Sequence, residues 1–258
     1  MKQELAVQKI SESLKKDKRV HAIFLKGSMG RNEHDEFSDV DLYCLVKEAD
    51  ESEFLQDRIT HLSSYKSIKF YEHIFIIAPQ TIAVFEDFLH VDLFTVTEKT
   101  FKKKDYFKVL YDPDGRLEQF KKTQDLCLSQ GEYEDCVYDV AWYLFQYHKA
   151  ARRRNDLWAV DMLRYVFGNL ARVLLHRYSP DRAQLGIKAL EQELPVEVLL
   201  KVKEISNLMT PNQHLNSVAC LVRLLADELD WLQGQLGKET QAGEFLLEMV
   251  GVLHEWKG

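Results

Sequence analysis

The chain has 258 residues, of which 46% are hydrophobic and 11% aromatic. That is enough apolar material for one large or two modest packed domains, and it excludes a disordered or fibrous class. A formal net charge of −7 argues against a broad nucleic-acid-binding surface, because affinity for a phosphate backbone comes mainly from clustered Lys and Arg.

Residues 1–17 mix Lys, Glu and Gln with Leu5, Ala6, Val7, Ile10 and Leu14, the pattern of an amphipathic surface helix rather than a signal peptide. No later stretch holds about 18 uninterrupted apolar residues, so no membrane span is expected. The cysteines Cys44, Cys127, Cys136 and Cys220 form no Cys-x-x-Cys pair, which disfavours zinc or a disulfide framework and suits a reducing cytoplasm. Residues 20–25 read as a strand, a turn holding Gly27 and Ser28 follows, and a second strand covers 40–46. Phe54, Leu55, Ile59 and Leu62 then recur at helical spacing over 50–62. From 68 to 96 the β-branched and aromatic runs 74–77, 82–85 and 91–96 read as strands, with Glu86, Asp87 and Phe88 joining the last two. The expectation is an α+β fold, with a mixed β-sheet carrying helices on one side.

Pro113 and Gly115 mark a turn after Tyr111, and the domain boundary is placed there, giving domains 1–116 and 117–258. The second half reads as a helical bundle, with helices over 135–153, 157–177, 183–193, 196–208, 215–235 and 243–256. Pro180, Pro195 and Pro211 fall between these runs, where proline starts a helix without breaking one. Trp142, Tyr143, Phe145, Tyr147, Trp158 and Tyr165 are expected as helix-core residues.

The chemistry concentrates around the turn after the first strand. Successive strand side chains point to opposite faces, so Asp39 and Asp41 share one face while Val40 and Leu42 turn inward. Two such carboxylates repel, and Mg²⁺, which takes one or two carboxylates plus substrate phosphates, relieves that repulsion. Gly27 lets backbone approach a phosphate and Ser28 offers a hydroxyl, unless it merely caps a helix. The ligand implied is a metal-bound nucleoside triphosphate. Asp92, set between Val91 and Leu93, is costly if it faces inward unpaired, so it should meet a cavity or a cation. Arg31 can reach a phosphate or stand in solvent, and residues 33–36 read as an exposed acidic loop in which His34 lacks a metal-binding partner. Lys149 and Arg152 to Arg154 stand near the end of a long helix, where cations suit the dipole.

Gly27-Ser28 followed by Asp39-x-Asp41 at the head of a strand resembles the nucleotidyltransferases of the DNA polymerase beta type. The longer form, with Asp35-Glu36-Phe37-Ser38 before Asp39, is similar to the small bacterial antibiotic nucleotidyltransferases. The phrase over 109–117 and the helical second half resemble the lincosamide and aminoglycoside (streptomycin-type) adenylyltransferases. The resemblance implies Asp39, Asp41 and Asp92 as the catalytic and Mg²⁺-binding triad. It also implies Gly27, Ser28, Arg31 and Lys149 as nucleotide-binding residues, with ATP or another nucleoside triphosphate as co-substrate. The acceptor implied is a small hydroxylated molecule, such as a lincosamide or aminoglycoside antibiotic, bound with help from the helical domain in a homodimer. Three alternatives run against particular features. An enzyme that modifies a protein partner usually has little beyond the sheet domain, and one that acts on RNA needs a basic surface. A non-catalytic nucleotide-binding regulator could lose an aspartate of the triad freely.

Overall fold

The computed structural model describes residues 1–101, 104–237 and 240–256. The chain divides into two compact units, Met1–Asp125 and Leu126–Gly258.

In the first unit, α1 (Lys2–Leu14) leads into β1 (Val20–Leu25), the short α2 (Gly27–Arg31), β2 (Val40–Val46) and α3 (Glu48–Leu62). Strands β3 (Ile68–Phe75), β4 (Pro79–Phe85), β5 (His90–Val96) and β6 (Lys108–Tyr111) follow, then α4 (Glu118–Lys121). The six strands form one sheet in the order β3-β4-β5-β2-β1-β6. Among the described residues, only β2 and β5 pair in parallel. The two-residue alternation of β2 sends Val40, Leu42 and Cys44 into a core with Ile10 and Leu14 of α1 and Phe54 and Leu62 of α3. Its other face carries Asp41, then Tyr43 and Leu45, which pack with Phe24, Phe94 and Val96 beneath Phe101, Leu117 and Phe120. The mixed sheet is therefore backed by long helices on one face, as expected, and its opposite face carries Asp41 and Asp92 near the starts of β2 and β5 with the second apolar cluster beyond them.

Three local expectations differ. The run 74–77 is interrupted because β3 ends at Phe75 and Ile76 and Ile77 form the turn into β4, exposed despite their β-branched side chains. β6 was not foreseen; it is a short, largely exposed edge strand paired to β1. The division between units falls after Asp125 rather than at 116. The Phe101 and Phe120 rings stack 4.1 Å apart, so α4 stays with the sheet. The Asp112 carboxylate accepts the Arg116 and Leu117 amides, both at 2.9 Å, and folds the turn back onto its own unit.

The second unit holds α5 (Gln130–Arg152), α6 (Asp156–Tyr178), a 3-10 turn (Pro180–Leu185), α7 (Ile187–Glu193), α8 (Val196–Asn207), α9 (His214–Gly234) and α10 (Ala242–Glu255). α5 starts earlier than 135 because Ser129 and Glu132 form a reciprocal capping box. The single helix expected over 183–193 is split by Gly186, whose φ of +55° ends one turn and starts another. Tyr147 is fully buried, but Trp142 and Tyr165 are 38% and 49% exposed, so these two are not core residues. Among the described residues no helix is long and apolar enough to cross a membrane.

Candidate active site

The site is built where β1 ends. Lys26 is extended, and its amide donates to the Asp41 carbonyl at 3.0 Å, which ties the corner to β2. Gly27 takes φ +61°, and a Cβ there would lie 2.0 Å from Asp41 Oδ2. The Asp41 carboxylate thus lies directly against the Gly27 backbone, an approach only glycine permits. Ser28 sits inside α2, whose cap position is Lys26, so it does not cap the helix.

Asp41 and Asp92 are register partners on the parallel strands β2 and β5, which places both carboxylates on one sheet face. Asp39 is exposed just before β2. The loop ahead of it is held by the buried Gln3, whose amide nitrogen lies 2.9–3.1 Å from the carbonyls of Asp35, Glu36 and Ser38. Asp35 tightens the same loop by accepting the Phe37 amide and the Ser38 hydroxyl, both at 3.0 Å. His90 stands two residues before Asp92, on the same face. Its Nε2 is 3.0 Å from Asp92 Oδ1 and its Nδ1 3.9 Å from Asp39 Oδ2. One ligand atom each from Asp39, His90 and Asp92 lies within 4.8 Å of the others.

The electrostatics record the crowding. Burial, then the charges of Asp39, Asp92 and Asp105, push the Asp41 carboxyl up to about 6. The hydrogen bond to Asp92 holds the His90 imidazole above its ordinary value, against the effect of burial. A partly buried row of carboxylate oxygens that raises a neighbour's proton affinity is a hard donor set whose repulsion a divalent cation would relieve. These residues fit such an ion.

The opposite wall of the corner contains groups that sequence reasoning missed. Asp105 accepts the Gly27 amide at 3.2 Å and takes both its oxygens to Arg31 Nη1, at 2.8 and 2.9 Å, while Arg31 Nε binds Glu33 at 2.8 Å. Arg31 therefore faces neither an open phosphate site nor solvent; it is held by two carboxylates. Lys26 is buried, donates from Nζ to the Lys104 carbonyl at 2.6 Å and lies 4.9 Å over the Phe101 ring. Burial pulls its ammonium down to about 8. The only hint of Lys26 in the sequence is a cation placed between an apolar strand and Gly27.

A cavity of about 570 Å³ opens here, with Lys26, Gly27, Asp41 and Asp105 on its polar side and Tyr43, Ile77 and Val96 among its apolar walls. A separate concavity of about 330 Å³ is lined by Asp39 and His90 together with Phe37 and Phe88. Asp41 lines the first hollow and Asp39 the second. Lys149 belongs to the second unit, on the last turn of α5, where its ammonium lies 5.1 Å over the Phe145 ring and 3.5 Å from Gln146 Oε1.

The family model for streptomycin adenylyltransferase matches residues 1–177. The chain belongs to the streptomycin adenylyltransferase family. This adenylyltransferase-family protein is thus a nucleotidyltransferase, in keeping with the polymerase-beta-type pattern of its first half. Asp39, Asp41, Asp92 and the Gly27-Ser28 corner all lie within the matched span. Among solved structures, the enzyme is similar to an aminoglycoside 6-adenyltransferase from Bacillus subtilis, at 14% identity over 99% of each chain with a TM-score of 0.39. It is also similar to a nucleotidyltransferase-like protein from Exiguobacterium sibiricum, at 13% identity over 97% of this chain and 74% of that one, with a TM-score of 0.36. No curated protein matches it.

Proposed function

We propose that the enzyme transfers AMP from ATP to a hydroxyl of a small-molecule acceptor and releases pyrophosphate. The observation that carries this reading is the register pairing of Asp41 with Asp92, with Asp39 drawn to Asp92 and Gly27 pressed against Asp41 at a cavity mouth. Asp39, Asp41 and Asp92 would hold Mg²⁺, which when bound offsets the charge of the phosphates and of the reacting oxygens.

The chain's own groups divide the remaining work. The Gly27 backbone and the Ser28 hydroxyl bind the terminal phosphates, and the apolar walls at Tyr43, Ile77 and Val96 take the nucleoside. The acceptor hydroxyl forms its new bond to the α-phosphorus as the bond to pyrophosphate breaks. Asp92 takes the hydroxyl proton, its Oδ1 already fixed by His90. Such a displacement is accelerated mainly by positioning and electrostatics. Lys149 is assigned to the nucleotide, and a homodimer is proposed, on the family resemblance; sedimentation reads the second directly.

Arg31 can serve a phosphate only when Asp105 releases it, so the Asp105 charge competes with the nucleotide for the Gly27 amide and for Arg31. Asp105→Asn is expected to lower KM for ATP about threefold or more with little change in kcat, since a neutral amide holds the guanidinium less tightly. A higher KM would mean that Asp105 belongs to the nucleotide-binding set instead.

The whole reading is tested with α-labelled ATP, Mg²⁺ and a panel of hydroxylated compounds. Streptomycin comes first, because the matched family carries its name. Transfer of label to one acceptor with an equal yield of pyrophosphate is expected. Label found only on protein or RNA, or no transfer from any nucleoside triphosphate, would overturn it.

A further inference from the structure

The second unit holds a concavity of about 330 Å³ that the proposed function does not use, with Arg164, Tyr165, Gly168 and Arg172 of α6 on one side and Lys188 of α7 on the other. In a chain of net charge −7, three cations meet there and, among the described residues, no carboxylate lines the hollow. None of the three forms an ion pair among the described residues, whereas Arg19, Arg31, Arg116 and Arg177 are each held by carboxylates. Residues 164, 168 and 172 follow one stripe of the helix, so the two arginines stand about 12 Å apart along its axis with Gly168 between them. A Cβ at Gly168 would meet nothing within 4 Å, so the missing side chain leaves the floor of the hollow open. Arg172 is seated by the chain it faces: a Cβ on Gly186 would stand 3.5 Å from its Cγ and 3.7 Å from its Nε. Burial pushes the Cys136 thiol up and the Arg172 charge opposes that, which places one edge of the guanidinium beside α5 and leaves its other donors to the hollow.

We infer that this concavity binds a dianionic phosphate group, free or carried by a small molecule, between Arg164, Arg172 and Lys188. Like charges gathered without counter-charges repel, and a dianion placed among them offsets that repulsion. Guanidinium groups present paired donors that match phosphate oxygens, and the Lys188 ammonium adds a point charge. The Tyr165 ring, stacked on Tyr143 at 4.8 Å and half-exposed, forms a flat wall against which the organic part of a phosphate ester can lie. The volume stands at the small end of the range for ligand sites, which suits one phosphate and a ring-sized group. The inference stands apart from the metal-dependent transfer, since no residue of the acidic row takes part.

The test is calorimetric titration of inorganic phosphate, phenyl phosphate and acetate into the full chain, in chelator so that no cation on the acidic row contributes, and at fixed ionic strength because exposed charges are screened by salt. Saturable binding of both phosphates is expected, about tenfold or more tighter than that of acetate. Phenyl phosphate bound about threefold or more tighter than inorganic phosphate identifies an ester resting on Tyr165; equal affinities identify free phosphate, and each result supports the site. Arg172→Gln and Lys188→Gln should each weaken phosphate binding about fivefold or more. Gly168→Leu, which sets a better helix former into the open floor, should abolish binding with its melting temperature unchanged or higher. Arg223→Gln removes a cation of α9 outside the concavity and should leave the affinity as it was. No saturable phosphate binding, acetate bound as tightly as phosphate, or an equal loss in Arg223→Gln would overturn the assignment.

Discussion

Asp41→Asn is expected to raise the melting temperature in chelator at pH 7.5 while lowering kcat about a thousandfold or more. The opposite signs follow from one cause. The folded protein holds the Asp41 proton up to about 6, above the ordinary 3.8, because the carboxylate is buried beside Asp39, Asp92 and Asp105. Between these values the folded state binds more protons than the unfolded one, so stability falls as pH rises through the window from about 4 to about 6. Above it the full penalty applies, on the order of 3 kcal/mol by the conversion of a pKa shift to free energy. An amide carries no such charge. Melting curves of wild type and variant from pH 4 to 7.5, each with chelator and with Mg²⁺, check the point. In chelator the wild type should lose stability across the window, Mg²⁺ should restore it, and the variant should be indifferent to both. A variant that melts below wild type in chelator would show that the carboxylate is stabilised by bonds rather than strained by its neighbours.

Gly27→Ala should cost about 1–2 kcal/mol of stability, the price of a non-glycine residue in the left-handed region, but about a hundredfold or more in kcat/KM. The disproportion arises because the new Cβ would sit 2.0 Å from Asp41 Oδ2 at a backbone φ of +61°. The end of an aspartate side chain can move aside cheaply as far as folding is concerned. It cannot do so without leaving the position opposite Asp92, and displacements of about an ångström at a reacting centre cost on this scale. Chemical denaturation and steady-state kinetics on the same preparation separate the two effects. Full activity in a variant destabilised as expected would remove Asp41 from the chemistry.

How far the sequence shows this site depends on whether a group is placed by its neighbours in the chain or by distant ones. The shared face of Asp39 and Asp41 follows from strand alternation, and the cost of burying Asp92 between Val91 and Leu93 marks it as exceptional; the structure pairs Asp41 with Asp92 in register and sets Asp39 near Asp92, with Asp41 outside that group. His90 obeys the same alternation, two residues before Asp92, yet a lone histidine at a strand end gives no sign of which carboxylates it will face. Asp105 and Gln3 act across 78 and 32–35 residues of chain, and no local pattern predicts such contacts. The fold shows the same division. Long amphipathic helices in the second half fall within a residue or two of their expected bounds where a turn residue ends them. The α5 start needed the Ser129 capping box to be recognised. Ile76 and Ile77 show β-branched residues serving an exposed hairpin turn, where strand preference gives way to the geometry of the connection.

The most direct measurement is calorimetric titration of ATP, with Mg²⁺ and with chelator, into the wild type, Asp39→Asn and Asp92→Asn. Binding to the wild type should require the cation and weaken tenfold or more in each variant, because the carboxylates grip the phosphates only through a shared ion. Equal affinity in chelator, or variants that bind Mg-ATP as tightly as the wild type, would contradict a cation held between this acidic row and the Gly27 corner.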